Sequence, residues 1–516
     1  MIDKTILAID CGTQSLRGII FSQTGELLER VQVEYDPYFS RYPGWAEQDP
    51  ELYWNSLATV CQRLKSLNPD LFSTIAGIGI TSQRASMINV DEAGNPLRPA
   101  ILWLDQRKAR PFFAVKGPLN LGLKILNLEK LVVGIQAEGK SNWIRQNQPE
   151  IWGKTHKYLQ VSGFLNFRLT GNFIDSVASQ VGHIPFNYKQ QTWAKKHQLT
   201  ARLFPIEKDK LPQIALPGEI LGTITATAAD ATGLKKGIPV VACGSDKGCE
   251  TLGAGVIKHN MANLSFGTTA TIQTTSDTYF EAVRLIPAYP AVVPGAFNSE
   301  IEIFRGFWMI TWFKKEFAQK EVEQAKNAGI PAEEILNQFL AQTEPGAMGL
   351  VVQPYWSPGI GQPKAKGAMI GFGDVHTKAH IYRAVIEGLG FALCEGREKI
   401  EKKTKIKIEK AAVSGGASQS DEICKITADI FNIPMVKGRT HETSGLGVAI
   451  ITATGIGMYS TLNEAIDNMI KIKNVFEPDQ NAVSIYKDLY SQVYSKMYTA
   501  LEPLYSQIQQ ITGYPR

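Results

Sequence analysis

Apolar and β-prone positions near the start of the chain come in blocks separated by a short polar interruption. "TILAID" runs into Asp10-Cys11-Gly12-Thr13-Gln14-Ser15, and the apolar pattern resumes at Leu16. The continuation "GIIFSQTGELLERVQVEY" alternates and bends at Thr24-Gly25, which predicts an antiparallel meander. Taken alone, the interruption reads as a polar hairpin loop. A hairpin, however, needs only about two to five connecting residues, and Asn-Gly or Asp-Gly would serve. Here a carboxylate, a glycine and small hydroxyl and amide side chains offer hydrogen bonds to oxyanions and a ligand for a metal.

The same pattern recurs about 255 residues further on. In "MANLSFGTTATIQTTS", residues 261–276, β-prone segments flank Ser265-Phe266-Gly267-Thr268-Thr269-Ala270. Two such strand-loop-strand units predict duplicated domains that face one another and clasp a nucleotide's phosphates. The N–H groups of a tight glycine turn form an anion nest, and threonine hydroxyls add donors.

Three further glycine clusters follow apolar segments. Val240-Val241-Ala242 reads as a buried strand feeding Gly244-Ser245-Asp246-Lys247-Gly248 and then a helix. A carboxylate at the end of such a strand lies where open α/β sheets keep ligands, although capping the helix would also account for Asp246. "AAVSGGASQSDEICKITADIFNIPMV", residues 411–436, reads as a strand, a Gly415-Gly416 turn, and a helix with Ile423, Ile426 and Ile430 on one face. The turn leaves room for a flat ring or a phosphate. In "HETSGLGVAIITATGIG", residues 441–457, Gly445 and Gly447 read as close helix packing.

Length changes the picture first: 516 residues exceed one core and suit two large domains. A composition of 44% apolar, 20% charged and 9% aromatic residues is that of a globular protein. The net charge of +5, with no dense basic stripe, argues against nucleic acid as the main partner. The one basic run, "REKIEKKTKIKIEK" at 397–410, is interleaved with Glu and predicts a solvated helix end running into an edge strand. No run of about eighteen apolar residues predicts a membrane span. Asp3, with no separate apolar segment before Asp10, argues against a signal peptide. Six cysteines without CxxC spacing fit reduced thiols in a cytoplasm. "GIQAEGKS", Gly134 to Ser141, matches the GxxxxGK[ST] phosphate-loop pattern, but its short preceding apolar run and its internal acid argue against that use.

Together these segments resemble the FGGY carbohydrate kinases of the actin-like ATPase superfamily, over nearly the whole chain. "LAIDCGTQSLRGIIF" resembles the first phosphate motif and "NLSFGTTATI" the second. "GSDKGCETLGAG" is similar to the segment carrying the catalytic aspartate, and "AVSGGASQSDEICKITADIF" to the adenosine-binding segment. "GAMIGFGDVHTKAHIYRAVIEG" resembles the C-terminal signature, with Phe372 where an aliphatic residue is expected. "GWAEQDPELYW" and "ILWLDQRKA" look like family elements, and Lys140 to Trp143 keeps the spacing of the N-terminal signature while Ala137 and Ser141 depart from it.

The resemblance implies an α/β protein of two ribonuclease-H-like domains with a cleft between them: residues 1–255 for the acceptor, the first phosphate loop and the catalytic Asp, and 256–516 for the second loop and adenosine. It implies ATP and Mg²⁺ as cofactors and transfer of the γ-phosphoryl group to a sugar or polyol hydroxyl. On that reading Asp10, Gly12, Thr13, Gln14 and Ser15 meet the cofactor from one domain. Gly267, Thr268, Thr269, Gly415, Gly416 and Ala417 meet it from the other. Asp246 takes the hydroxyl proton, and Asp10 with Asp246 holds the metal. The partner is a small molecule, with no nucleic acid and no membrane, and there is room for a homodimer.

For the acceptor, the resemblance points to Gln83, Arg84, Trp103, Asp246 and Lys247. Gln83-Arg84 stands where glycerol kinases carry Asn-Gln-Arg-Glu, but Ala85 replaces the glutamate. The Met-His-Gly of xylulose kinases is absent, and Lys247 replaces their Asn and the Gln of glycerol kinases. A pentulose such as xylulose is the preferred acceptor class. Arg84 and Lys247 leave an acidic acceptor open, and pairing of Lys247 with Glu250 is the competing reading. The alternatives are a glycerol-kinase-like activity, an actin-like nucleotide switch without a sugar site, and a P-loop NTPase.

Overall fold

The computed structural model describes residues 4–112, 129–357, 362 and 364–514, so Asp3 lies outside the described residues. The chain divides into two units. The first comprises Met1–Gly253, Tyr289–Phe297 and Ser444–Ile470, and the second Ala254–Ala288, Asn298–Thr443 and Lys471–Arg516. The division thus falls after Gly253, and two stretches of the C-terminal half pack with the first unit.

The first unit is built on a six-stranded sheet. Its strands lie in the order Ile220–Thr223, Pro239–Val241, Ile75–Ser82, Thr5–Cys11, Ser15–Phe21 and Leu27–Glu34. Thr5–Cys11, Ser15–Phe21 and Leu27–Glu34 form the expected meander, turning at Gly25 with a φ of +76°. Thr5–Cys11 then pairs parallel with Ile75–Ser82, and that strand parallel with Pro239–Val241, before an antiparallel edge. Ile6, Leu7 and Ile9 are fully buried, as expected of central strands covered on both faces. Helix Pro50–Leu67 begins with Asp49 accepting from the Glu51 N–H and a proline in its first turn. It packs its Val60 and Leu64 where Gly18 has no side chain. Helix Thr443–Gly455, all but its first residue in this unit, lays Val448 and Thr452 over Gly79. A small second sheet joins Glu47–Gln48 to Ala100–Ile101, with Glu47 opposite Ile101 and Gln48 opposite Ala100.

The second unit repeats the plan. Phe297–Ile303, Ala270–Ser276, Met261–Phe266, Lys410–Ser414, Met435–Gly438 and Ile472–Phe476 follow one another across its sheet. Met261–Phe266 runs antiparallel to Ala270–Ser276 and parallel to Lys410–Ser414. The latter runs parallel to Met435–Gly438, which pairs antiparallel with the last strand. Each sheet therefore passes from a hairpin through two parallel strands to an antiparallel partner, the duplication that the repeated hairpins predicted.

One expectation is corrected here. Helix Lys378–Thr404 does end in exposed Lys402 and Lys403, with Lys405 left-handed at φ 62°. The strand that follows, Lys410–Ser414, lies inside the sheet and not at its edge. Ala411, Ala412 and Val413 are all buried, the continuous apolar run of a strand covered on both faces, and the lysines mark only its approach. Among the described residues no helix is long and apolar enough to cross a membrane.

Candidate active site

In the first unit the strand Thr5–Cys11 brings Asp10 opposite Arg17 and beside Thr81. Arg17 Nη1 lies 3.4 Å from Asp10 Oδ2. The loop beyond it is tight, closed by the Gly12 N–H donating to the Ser15 carbonyl at 2.9 Å. Tyr35 donates its hydroxyl to the Gly12 carbonyl at 2.7 Å and its N–H to the Gln14 carbonyl at 3.0 Å, which fixes the loop from behind. Ser15 is buried at the start of the second strand, whereas Gln14 is exposed.

Thr13 joins this loop to two residues expected at the acceptor, Gln83 and Trp103. Its hydroxyl donates to Gln83 Oε1 at 2.7 Å and accepts from the Trp103 indole N–H at 3.1 Å. Gln83 Nε2 donates to the Tyr53 hydroxyl at 3.3 Å, Tyr53 donates to Gln48 Oε1 at 2.6 Å, and Gln48 Nε2 returns to the Thr13 carbonyl at 2.9 Å. The result is a closed ring of hydrogen bonds in which Gln48, Tyr53 and Gln83 are buried and Trp103 is half exposed. Thr13, Gln83 and Trp103 thus stand together.

Asp246, Lys247 and Arg84 form the other group of this unit. The turn before Asp246 is tied to Ile75–Ser82, where the Thr81 hydroxyl donates to the Gly244 carbonyl at 2.9 Å. Asp246 opens helix Asp246–Gly253, but Ser245 supplies the cap, its hydroxyl accepting from the Gly248 N–H at 3.3 Å. Asp246 Oδ1 accepts from the Lys247 N–H at 2.8 Å and lies 3.7 Å from Arg84 Nε, while 36% of the side chain remains exposed. Burial raises its carboxyl above the ordinary carboxylate range, with Arg84 and Lys247 pulling the other way. Lys247 Nζ lies 2.7 Å from Glu250 Oε2, the pairing that competed with a pocket-facing role. Burial lowers the Lys247 ammonium, but Glu250 and Asp246 outweigh it and hold it above its usual value. Arg84 rests on the Tyr289 ring at 5.5 Å, and Ala85 beside it is left-handed at φ 54°.

In the second unit Gly267, Thr268 and Thr269 form the loop of the second hairpin, with Thr268 exposed. The Phe307 N–H donates to the Gly267 carbonyl at 3.1 Å and the Trp308 N–H to the Thr268 carbonyl at 3.4 Å, tying both acceptors back. Gly415 lies against this hairpin. A Cβ there would stand 2.9 Å from the Phe266 carbonyl carbon, and its φ of +80° is glycine's own. Gly416 begins a single 3₁₀ turn, Gly416–Gln419, and a Cβ there would meet open space. Ala417 packs on the core beneath, and the Ser418 hydroxyl donates to the Gly415 carbonyl at 2.7 Å. Helix Asp421–Phe431 follows, burying Ile423 and Ile426 with Ile430 partly covered.

The phosphate-loop pattern at Gly134 to Ser141 is not a loop. Gly134 lies within helix Glu129–Glu138, and Gly139 caps helix Lys140–Asn147. Lys140 Nζ donates to the Asp105 carbonyl and lies 3.7 Å from its carboxylate. That carboxylate belongs to a buried cluster with no counterpart in the sequence reading. Arg107 lies 2.7 Å from Asp105 Oδ2 and 3.0 Å from Glu47 Oε1, with its guanidinium 3.7 Å from the Trp45 ring and 4.7 Å from Trp143. Arg98 also donates to Glu47. The cluster flanks Gln48 on one strand and Trp103 on the adjoining loop. The segments "GWAEQDPELYW" and "ILWLDQRKA" carried the signal, but only pairing of Glu47–Gln48 with Ala100–Ile101 reveals what their charges do.

Two duplicated sheets, each presenting a glycine-threonine hairpin, define the two-domain actin-like ATPase fold. Solved structures of the same fold include a ligand-bound xylulose kinase and a gluconate kinase, both from Lactobacillus acidophilus. Each has a TM-score of 0.81 and 21% identity, and covers 98% of this chain and 99% of its own. A xylulose kinase of Lactococcus lactis subsp. lactis strain IL1403 is 27% identical over 504 residues, 96% of either chain. Residues 5–253 match the N-terminal domain of the FGGY family of carbohydrate kinases and residues 262–456 its C-terminal domain. The chain belongs to that family and is an ATP-dependent carbohydrate kinase.

Proposed function

We propose that the chain phosphorylates a neutral small sugar or polyol, with a pentulose such as xylulose as the preferred acceptor, and that Asp246 is its general base. One observation carries this reading: each cation of the acceptor group already faces a carboxylate. Lys247 Nζ is 2.7 Å from Glu250, and Arg84 Nε is 3.7 Å from Asp246. An acidic acceptor gains most from unbalanced positive charge, because charge-assisted hydrogen bonds are the stronger kind. A group whose cations are matched by acids suits hydroxyls, which Arg84 meets with a fixed fork of donors and Trp103 with an apolar face. The xylulose kinase of Lactococcus lactis is a relative over nearly its whole length, which favours the same class.

Phosphoryl transfer passes through a loose transition state, so positioning and neutralisation of charge dominate. Thr13, Gln14, Ser15, Gly267, Thr268 and Thr269 supply hydroxyl, amide and backbone donors to the phosphates, with Gly415, Gly416 and Ala417 toward the adenosine. Asp246, raised by burial, withdraws the proton of the attacking hydroxyl as its oxygen bonds the γ-phosphorus and the bond from that phosphorus to the β,γ-bridging oxygen breaks, releasing ADP. Asp10 and Asp246 are oxygen donors of the kind Mg²⁺ takes, usually one or two carboxylates with water and phosphate completing the shell. Bound there, Mg²⁺ would neutralise charge on the phosphate oxygens.

The test is a panel of xylulose, ribulose, glycerol and gluconate, each assayed for ADP release beside an acceptor-free control, with and without EDTA. The expected result is acceptor-dependent release, strongest with a pentulose and abolished by EDTA. Preference for gluconate would overturn the neutral acceptor, and release independent of any acceptor would favour the nucleotide switch.

A further inference from the structure

A buried carboxylate outside the groups above is linked through its neighbour Ser176 to the turn on which Asp246 stands. Asp175 lies in the short strand Ile174–Ser176, which pairs parallel with Gln213–Ala215. It is 1% exposed and accepts four hydrogen bonds. Oδ2 takes the Ser162 hydroxyl at 2.9 Å and Gln180 Nε2 at 2.9 Å; Oδ1 takes Asn166 Nδ2 at 3.0 Å and the Ser176 N–H at 2.9 Å. Two donors come from helix Val161–Thr170, and two from the strand end and the turn after it. No cation is among these partners. A charge so deeply placed is costly unless its hydrogen bonds are satisfied, and here donors stand on several sides. Burial, opposed by the four donors, raises the Asp175 carboxyl to about 6, and all four groups around it donate.

The neighbouring contacts lead from this carboxylate to the Asp246 turn. Ser176, held by its N–H to Asp175, donates its hydroxyl to the Cys243 carbonyl at 2.6 Å. Two residues on, the Ala178 carbonyl accepts the Ser245 N–H at 3.1 Å. Gly244 has no room for a side chain there, since a Cβ would stand 2.6 Å from Val292 Cγ2 and 3.0 Å from the Ala178 Cβ. The segment Ser176–Ala178 therefore grips Cys243, Gly244 and Ser245 in succession, and Asp246 is the next residue.

We propose that Asp175 is a positioning residue for phosphoryl transfer, holding Ser176 and Ala178 against Cys243–Ser245 so that the Asp246 carboxylate meets the acceptor hydroxyl. The inference rests on Asp246 being the general base. Catalysis is sensitive to misplacement of such a group by about an ångström, which can cost on the order of 10²-fold. Asp175→Asn keeps the shape but turns an amide donor toward donors. Ser176→Ala removes only the hydroxyl that reaches the Cys243 carbonyl and is the milder change.

Steady-state kinetics at pH 8, normalised to the folded fraction, test this with Asp246→Asn measured in parallel. The expected result is a fall in kcat of about 30-fold for Asp175→Asn and about 5-fold for Ser176→Ala, within the range set by misplacement. KM for ATP should stay within about twofold, and the double variant should fall little below Asp175→Asn because both act along one route. Unchanged kcat in the folded fraction of both variants, whatever their melting temperatures, overturns the proposal, as does a fully multiplicative double variant. Should Asp175→Asn fail to fold, Ser176→Ala decides by the same split of kcat from KM. Turnover in Asp246→Asn overturns the base assignment and this inference with it. An inactive Asp246→Asn beside normal Asp175 and Ser176 variants overturns this inference alone.

Discussion

The two hairpins are built to one plan but are fixed by different means. In the first unit side chains add to the backbone bonds that hold the loop at Gly12–Gln14: Tyr35 behind the Gly12 carbonyl, and the ring of Thr13, Gln83, Tyr53 and Gln48 with Trp103 joined to it. In the second unit the loop at Gly267–Thr269 is held by backbone donors from Phe307 and Trp308 and by a glycine, Gly415, pressed against its strand. The difference matches a difference in task on the proposed assignment. The first loop must register phosphate against acceptor, so it is wired to Gln83 and Trp103. The second serves the nucleotide alone and needs only a rigid backbone of the right shape.

The largest effect should follow from removing the proposed base, Asp246, which belongs to the first unit. Asp246→Asn is expected to lower kcat by about 10² to 10⁴-fold, the usual worth of a general base, with ATP affinity retained. Single-turnover kinetics with a nucleotide-binding titration check both halves of that statement. Turnover near wild type would take the chemistry away from Asp246.

In the second unit the sharper probe is Gly415→Ala. The new Cβ would stand 2.9 Å from the Phe266 carbonyl carbon at a φ of +80°. Left-handed backbone alone costs a non-glycine residue about 1–2 kcal/mol, and the crowding adds to it. KM for ATP should rise about tenfold or more and the melting temperature fall, with KM for the acceptor little changed. An equal rise in acceptor KM would erase the proposed division of labour.

Lys140→Met tests the contrast from outside both hairpins. Its ammonium serves the Asp105 carbonyl and carboxylate in the buried cluster. Losing a charged hydrogen bond there should cost on the order of 2 kcal/mol of stability and leave ATP affinity as it was. Denaturant unfolding and nucleotide titration on the one variant suffice, and a large loss of ATP affinity would restore the phosphate-loop reading of Gly134 to Ser141.

What the sequence made legible follows from the range of the interactions involved. The hairpins at Gly12 and Gly267, the Gly415-Gly416 turn and the strand leading to Asp246 are patterns of adjacent residues, and local physics fixes them. The ring through Thr13, Gln48, Tyr53 and Gln83 is not local: its members come from a hairpin loop, a strand of the second sheet, a helix, and the residue just past strand Ile75–Ser82. Nothing in the spacing of a buried tyrosine tells which amide it will meet. Helix Thr443–Gly455 shows the same limit differently. Its small residues announced close packing, yet they could not name the partner, which is the first unit's own sheet and the Asp246 helix, where Gly447 meets the Cys249 carbonyl. The lysines flanking Lys410–Ser414 suggest an edge, whereas buried Ala411, Ala412 and Val413 belong to a strand inside the sheet.

The smallest effect, and the finest test of the comparison, is expected from Tyr53→Phe. The hydroxyl of Tyr53 donates to Gln48 Oε1 at 2.6 Å and accepts from Gln83 Nε2 at 3.3 Å, and the residue is fully buried. Phenylalanine fills the same space, so packing is retained and only the link is lost. Each amide stays held at its other end, Gln83 Oε1 by Thr13 and Gln48 Nε2 by the Thr13 and Asp36 carbonyls, while Gln83 Nε2 and Gln48 Oε1 lose the hydroxyl. Two neutral hydrogen bonds are lost, the one from Gln83 long at 3.3 Å, so the cost should lie at the low end of that for an unsatisfied buried group, about 1 kcal/mol. Because the ring couples Gln83 to the Gly12–Gln14 loop, that loss should raise acceptor KM about fivefold, the kinetic equivalent of the same energy, and ATP KM by less. In the second unit the Gly267 and Thr268 carbonyls are instead held by the backbone donors of Phe307 and Trp308. If acceptor KM is untouched in Tyr53→Phe while stability falls, the ring is a structural brace and the first loop is no more closely wired to the acceptor than the second.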